Sequence, residues 1–162
     1  MMESKWQSLQ QSADWAHKAA DHEKAVDLYT QALSLPDVPW EAFVDMTMAC
    51  AYSYRMLGQR ASADTCLTGL AEKALQRGDY PVMIKAYAEL IFVLRNSPEL
   101  KRGLQFAQDA LKAAERIGNP DLIAEAQLSL GVIHIDLGEY KEAQACMFEA
   151  LRLSEPVPAA DM

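Results

Sequence analysis

Small side chains recur in this chain on a forty-residue ruler. Leu137-Gly138-Glu139-Tyr140-Lys141-Glu142-Ala143 aligns with Ser97-Pro98-Glu99-Leu100-Lys101-Arg102-Gly103 forty residues earlier, and with Leu57-Gly58-Gln59-Arg60-Ala61-Ser62-Ala63 forty earlier again. Ala19-Ala20-Asp21-His22-Glu23-Lys24-Ala25 stands a further 38 residues back. Ala25, Ala63, Gly103 and Ala143 therefore share one column, and Ala32, Leu70, Ala110 and Ala150 share another seven residues on. Ala51, Ile91 and Gly131 form a third. A fixed period of this length marks a repeat array, in which each unit buries its apolar face on its neighbours. A methyl group or hydrogen at a helix crossing lets two axes approach, where leucine would hold them apart.

Turn signals divide each unit into two helices. Leu57-Gly58, Asn96-Ser97-Pro98 and Leu137-Gly138 fall inside units; Gln76-Arg77-Gly78-Asp79 and Ile117-Gly118-Asn119-Pro120 fall between them. Glycine after a helix supplies a left-handed cap, and a following proline stops the helix. The spacing predicts an all-α chain of eight helices over 4–19, 22–35, 40–57, 60–77, 80–95, 99–117, 120–137 and 140–154. They pair antiparallel as repeats at roughly 5–38, 39–79, 80–119 and 120–155, in one domain over 1–155 with a flexible tail at 156–162.

Charge and motifs narrow the function. A net charge of −8 without a basic stretch argues against nucleic acid and anionic membrane as direct partners. No apolar run approaches a membrane span, and the first residues, MMESKWQSLQQSADW, lack a signal-peptide core, so a cytoplasmic location is expected. The three cysteines, Cys50, Cys66 and Cys146, are odd in number and read as buried thiols. His17, His22 and His134 have no metal-ligand spacing, and no phosphate-cradling loop is present. No nucleophile has a base placed beside it, so no enzyme, metal or cofactor is expected.

Residues 124–156, AEAQLSLGVIHIDLGEYKEAQACMFEALRLSEP, carry Leu130-Gly131, Gly138, Tyr140, Ala143, Ala150, Leu151 and Pro156 in the order of a tetratricopeptide repeat. The chain resembles that family, in the forty-residue variant found in bacterial regulators and GoLoco-binding scaffolds. The resemblance is weakest in the first repeat, where Ser12-Ala13 replaces the usual Leu-Gly. It implies a right-handed superhelix of about four helix pairs, with a concave groove lined by the first helix of each pair.

On the family's register, the inward columns are Asp14, Tyr52, Phe92 and Val132; His17, Arg55, Arg95 and Ile135; Gln7, Asp45, Lys85 and Glu125; and Met48, Ala88 and Leu128. The groove residues expected to bind are Tyr52, Arg55, Lys85, Glu89, Phe92, Arg95, Glu125 and Val132. An apolar strip edged by cations suits a peptide with apolar anchors and acidic residues. Asp14 and Tyr52 stand where chaperone-binding members carry asparagines, and Asp14 would repel a carboxylate, which excludes that clamp.

The last helix presents Ala145, Phe148 and Leu151 toward a further unit, an edge suited to homodimer formation or another partner. The reading that follows is a non-enzymatic scaffold for a protein or peptide. The alternative is a regulatory or sensor module of a larger bacterial signalling protein, such as a transcription regulator or cyclase.

Overall fold

Capping side chains or prolines open several of the helices, and a left-handed residue follows several of their ends. In the computed structural model, which describes residues 2–156, the helices are α1 (Lys5–Lys18), α2 (His22–Leu33), α3 (Trp40–Met56), α4 (Arg60–Arg77), α5 (Tyr80–Leu94), α6 (Leu100–Ile117), α7 (Pro120–Asp136) and α8 (Tyr140–Ser154). Among the described residues the structure is otherwise turns and bends, and no helix is long and apolar enough to cross a membrane. Of the tail expected at 156–162, residues 157–162 lie outside the described residues.

The caps are local and readable. Asp21 Oδ1 accepts from the Lys24 amide at 3.2 Å, and Asp79 Oδ1 from the Val82 amide at 3.3 Å. Asn119 Oδ1 accepts from the amides of Asp121 and Leu122 at 2.9 and 3.4 Å. Each such cap satisfies an orphan donor and contributes about 1 kcal/mol. Pro120 opens α7, where its missing amide hydrogen costs nothing.

The turn inside each pair uses one left-handed residue. Gly58 (φ 73°) ends the α3 side and Gly138 (φ 77°) the α7 side. Ala20 (φ 58°) and Asn96 (φ 59°) take the same conformation in the other two turns, and alanine there carries a Cβ penalty.

Contacts divide the chain into two compact units, Met1–Gln76 and Arg77–Met162. In the first, α2 packs on both α1 and α3, and α1 also touches α3. Lys73 of α4 places its Nζ 4.3 Å from the centre of the Phe43 ring on α3. Ala13, Ala16, Ala25, Tyr29, Ala32, Met46 and Cys50 form a buried core there. In the second unit α5 packs on α6, α6 on α7, and α7 on α8, while α5 and α7 lie side by side. Its buried core includes Ile91, Ala107, Leu130, Ile133 and Cys146.

The small-residue columns are buried in both units. A Cβ on Gly131 would stand 2.7 Å from Met147 Cε and 3.3 Å from Cys146 Cβ. A Cβ on Gly103 would stand 3.0 Å from Ile133 Cδ1. Close approach of α7 to α8, and of α6 to α7, is therefore why these columns are small.

Candidate binding surface

The first helices of the pairs carry the candidate residues, and each unit has its own set. In the first unit Tyr52 and Arg55 lie on α3, one helical turn apart, with the Arg55 Cζ 5.2 Å from the centre of the Tyr52 ring. Among the described residues no carboxylate pairs with Arg55. Its guanidinium is a cation resting on an aromatic face, available to an incoming anion.

Beside Tyr52 sits a polar cluster built from three helices. Ser53, fully buried on α3, holds its Oγ 3.1 Å from His17 Nδ1 on α1 and 3.2 Å from His22 Nδ1 on α2. The two imidazoles are 5.9 Å apart, centre to centre, and nearly perpendicular. The Tyr52 ring lies 5.2 Å from His17 and 6.0 Å from His22. Tyr29, buried behind them, donates its hydroxyl to Asp14 Oδ1 at 2.5 Å. Burial, the hydrogen bond and the Asp14 charge all push the Tyr29 phenol well above its ordinary value. The sequence puts His17 in an inward column but does not join it to His22 and Ser53. Among the described residues no group of three or more His, Cys, Asp or Glu side chains could hold a metal ion.

In the second unit the surface is apolar. Phe92 on α5 is 44% exposed, and Leu128 and Ile135 on α7 are 48% and 44% exposed. Leu128, Val132 and Ile135 follow i, i+4, i+7 spacing and so form one stripe along α7. Val132 is half-buried, packing partly on the core, so it forms the floor of the stripe and not an anchor on its rim. Lys85 is exposed; Glu89 and Glu125 are half-buried.

Arg95 behaves unlike Arg55. Its Nε donates to Asp136 Oδ2 at 2.6 Å and its Nη2 to Asp136 Oδ1 at 2.9 Å. The Asp136 carboxylate holds the Arg95 guanidinium still more firmly protonated. The cation expected at this edge is thus already paired within the unit, and Asp136 is the residue that sequence reading missed. His134, a half-buried side chain, pairs its Nδ1 with Glu139 Oε2 at 2.6 Å across the α7–α8 turn.

Two further features lie off these faces. On α8, Ala145, Phe148 and Leu151 are all exposed, as is Tyr140. Between α1 and α2 an open depression of about 380 Å³ is lined by Gln11, Ser12, Trp15, Lys24 and Leu28.

Residues 124–156 match the family model described as Tetratricopeptide repeat. No curated protein sequence matches the chain. Its fold is similar to that of the apo form of RapI, with a TM-score of 0.79 at 16% identity, over 91% of this chain and 42% of that one. It is similar also to the Rap conjugation gene regulator of the plasmid pLS20, solved in complex with a Phr peptide, with a TM-score of 0.70 at 18% identity over the same 91% and 42%. The chain thus spans less than half the length of these two structures. A thermophilic TPR protein from Thermus thermophilus matches with a TM-score of 0.57 at 26% identity, over 92% of this chain and 74% of that one. Residues 124–156 thus match a tetratricopeptide repeat, and the chain as a whole has the fold of an all-α array of sequential helix pairs of that type.

Proposed function

We propose that the chain is a non-catalytic binding module that takes an extended or helical peptide segment on the exposed faces of its first helices. The observation that carries this is the open apolar stripe of the second unit. Phe92, Leu128 and Ile135 together leave three large side chains almost half in water on two adjacent helices. An exposed apolar patch of that kind is an association site by default. Lys85, exposed two helical turns before Phe92 on α5, favours a ligand that carries acidic residues beside its apolar anchors. The likeness to a Rap regulator solved with a peptide supports the same class of ligand.

The test is an array of synthetic peptides with two apolar anchors, with and without an acidic residue between them. Wild type is expected to retain the acidic series. Phe92→Ala with Leu128→Ala should lose at least tenfold in affinity, as about 1–2 kcal/mol per truncated anchor implies. Lys85→Glu should lose preferentially for the acidic series. Equal retention of all peptides by wild type and variants would refute the reading.

A second reading rests on length. The chain spans 42% of each Rap structure it matches, which favours a sensor segment of a longer bacterial signalling protein. A band well above the mass of this chain, detected in its host with an antibody to it, would support that reading. The exposed Phe148 and Leu151 of α8 are then the face on which a further helix or a second copy packs. Phe148→Glu should weaken self-association, read by sedimentation equilibrium.

A further inference from the structure

The solvent face of α8 carries a pattern that reads the same in both directions. Ala143, Cys146 and Ala150 are its buried residues, and among the described residues α8 packs on α7 alone. On the opposite face Lys141, Ala145, Phe148, Leu151 and Glu155 are all exposed. Their spacings are 4, 3, 3 and 4 residues, symmetric about Phe148. Phe148 and Leu151 stand 63% and 60% in water. Lys141 and Glu155 take part in no ion pair among the described residues.

Such symmetry is what a two-fold axis demands, because each copy then offers the other the same surface. In an antiparallel pair of α8 helices with the axis through Phe148, that ring meets its own counterpart. Ala145 faces Leu151 of the second copy, so a small side chain makes room for a large one. Lys141 faces Glu155 of the second copy, and the axis repeats this pair at the other end. Between them Gln144 faces Arg152 of the second copy, which binds Glu149 through Nε and Nη2 and keeps Nη1 for an amide oxygen. A parallel arrangement would instead set lysine on lysine and glutamate on glutamate.

We propose that a second copy of this chain docks on α8, antiparallel about a two-fold axis at Phe148. The proposal rests on the α8 edge named above and commits it to one occupant; it does not depend on the Phe92–Leu128–Ile135 stripe. The apolar centre supplies the attraction, and the end charges set the direction. The net charge of −8 on each copy opposes association. Salt screens that repulsion beyond about 8 Å, whereas the Lys141–Glu155 pairs act at contact. One helix about 22 Å long makes a small interface, so dimer and monomer exchange in the micromolar range.

Sedimentation equilibrium of the 162-residue chain between about 5 and 200 μM tests this, with circular dichroism to show that each variant is folded. Wild type should follow a monomer–dimer equilibrium, and Phe148→Glu should be monomeric. Lys141→Glu and Glu155→Lys should each weaken the dimer at least about fivefold, because each change sets two like-charged pairs at the ends. Both changes in one chain should restore it to within about twofold. The two single variants, mixed, should pair with each other in preference to themselves. A wild type that stays monomeric would overturn the proposal and leave α8 to a further helix. A dimer that Phe148→Glu breaks but the double exchange does not restore would overturn the two-fold register while keeping α8 as an association face. A dimer indifferent to every variant would place the contact elsewhere and overturn both.

Discussion

Arg95 grips Asp136 through two parallel hydrogen bonds, Nε to Oδ2 at 2.6 Å and Nη2 to Oδ1 at 2.9 Å, and so ties the end of α5 to the end of α7. The Asp136 side chain is largely covered and that of Arg95 about a third exposed, so solvent screens the pair only in part. Removing one partner should cost more than the pair is worth, because the other is left poorly solvated. Asp136→Asn is expected to destabilise by about 1 kcal/mol, and a double-mutant cycle with Arg95→Gln to give a coupling of about 0.5–1 kcal/mol in urea melts. Arg95→Lys should recover little of it, since an ammonium cannot form the parallel bonds.

Ala143 is 4% exposed in the column that sets the α7–α8 spacing. Ala143→Leu should lower stability by about 1–3 kcal/mol through overpacking, measured by thermal or urea unfolding. Gly131→Ala should cost less than about 1 kcal/mol. The nearest obstruction is the flexible tip of Met147, and alanine favours the helix; the Cys146 Cβ has only to yield slightly. A variant Ala143→Leu that melts with wild type would show that the column does not set the spacing.

Ala20 holds φ 58° between α1 and α2, where the α3–α4 and α7–α8 turns use glycine. The left-handed conformation costs an alanine about 1–2 kcal/mol, of which glycine's greater unfolded-state freedom takes back part. Ala20→Gly is therefore expected to raise stability by about 0.5–1 kcal/mol. Asn96→Gly should gain less, because asparagine tolerates this region. The melting temperatures of the two variants provide the comparison.

Tyr29 keeps its proton in the folded state to a higher pH than in the unfolded chain, because it is buried and donates to Asp14. A folded-state pKa raised in this way gives stability that is complete below the ordinary phenol value of about 10 and is lost as pH rises beyond it. Tyr29→Phe removes that proton from the balance. Its unfolding free energy should start lower at pH 8 and fall less steeply between pH 9.5 and 11 than that of wild type. Parallel slopes would show that Tyr29 does not carry the alkaline sensitivity.

The helix boundaries are legible in the sequence because the signals that set them are local. Asp21, Asp79 and Asn119 each cap a helix from within three residues, and the alanine columns report helix contacts that recur at one period. The partners of the candidate residues are not legible. Asp136 is 41 residues from Arg95, and Ser53 is 36 from His17. No periodicity links such positions, since each pairing occurs once in the array and depends on side-chain direction. Arg55 and Arg95 share a column and look equivalent; only the carboxylate opposite Arg95 separates them.

Ser53 has one hydroxyl hydrogen and two imidazole nitrogens in reach. If that hydrogen goes to His17, then His22 must supply its own to the oxygen, and the reverse holds equally. Among neutral rings bonded in this way, the tautomer chosen by one histidine therefore dictates that of the other. Their outer nitrogens then present one donor and one acceptor to whatever lies against Tyr52, in either of two mirror assignments that nitrogen-15 resonances would distinguish.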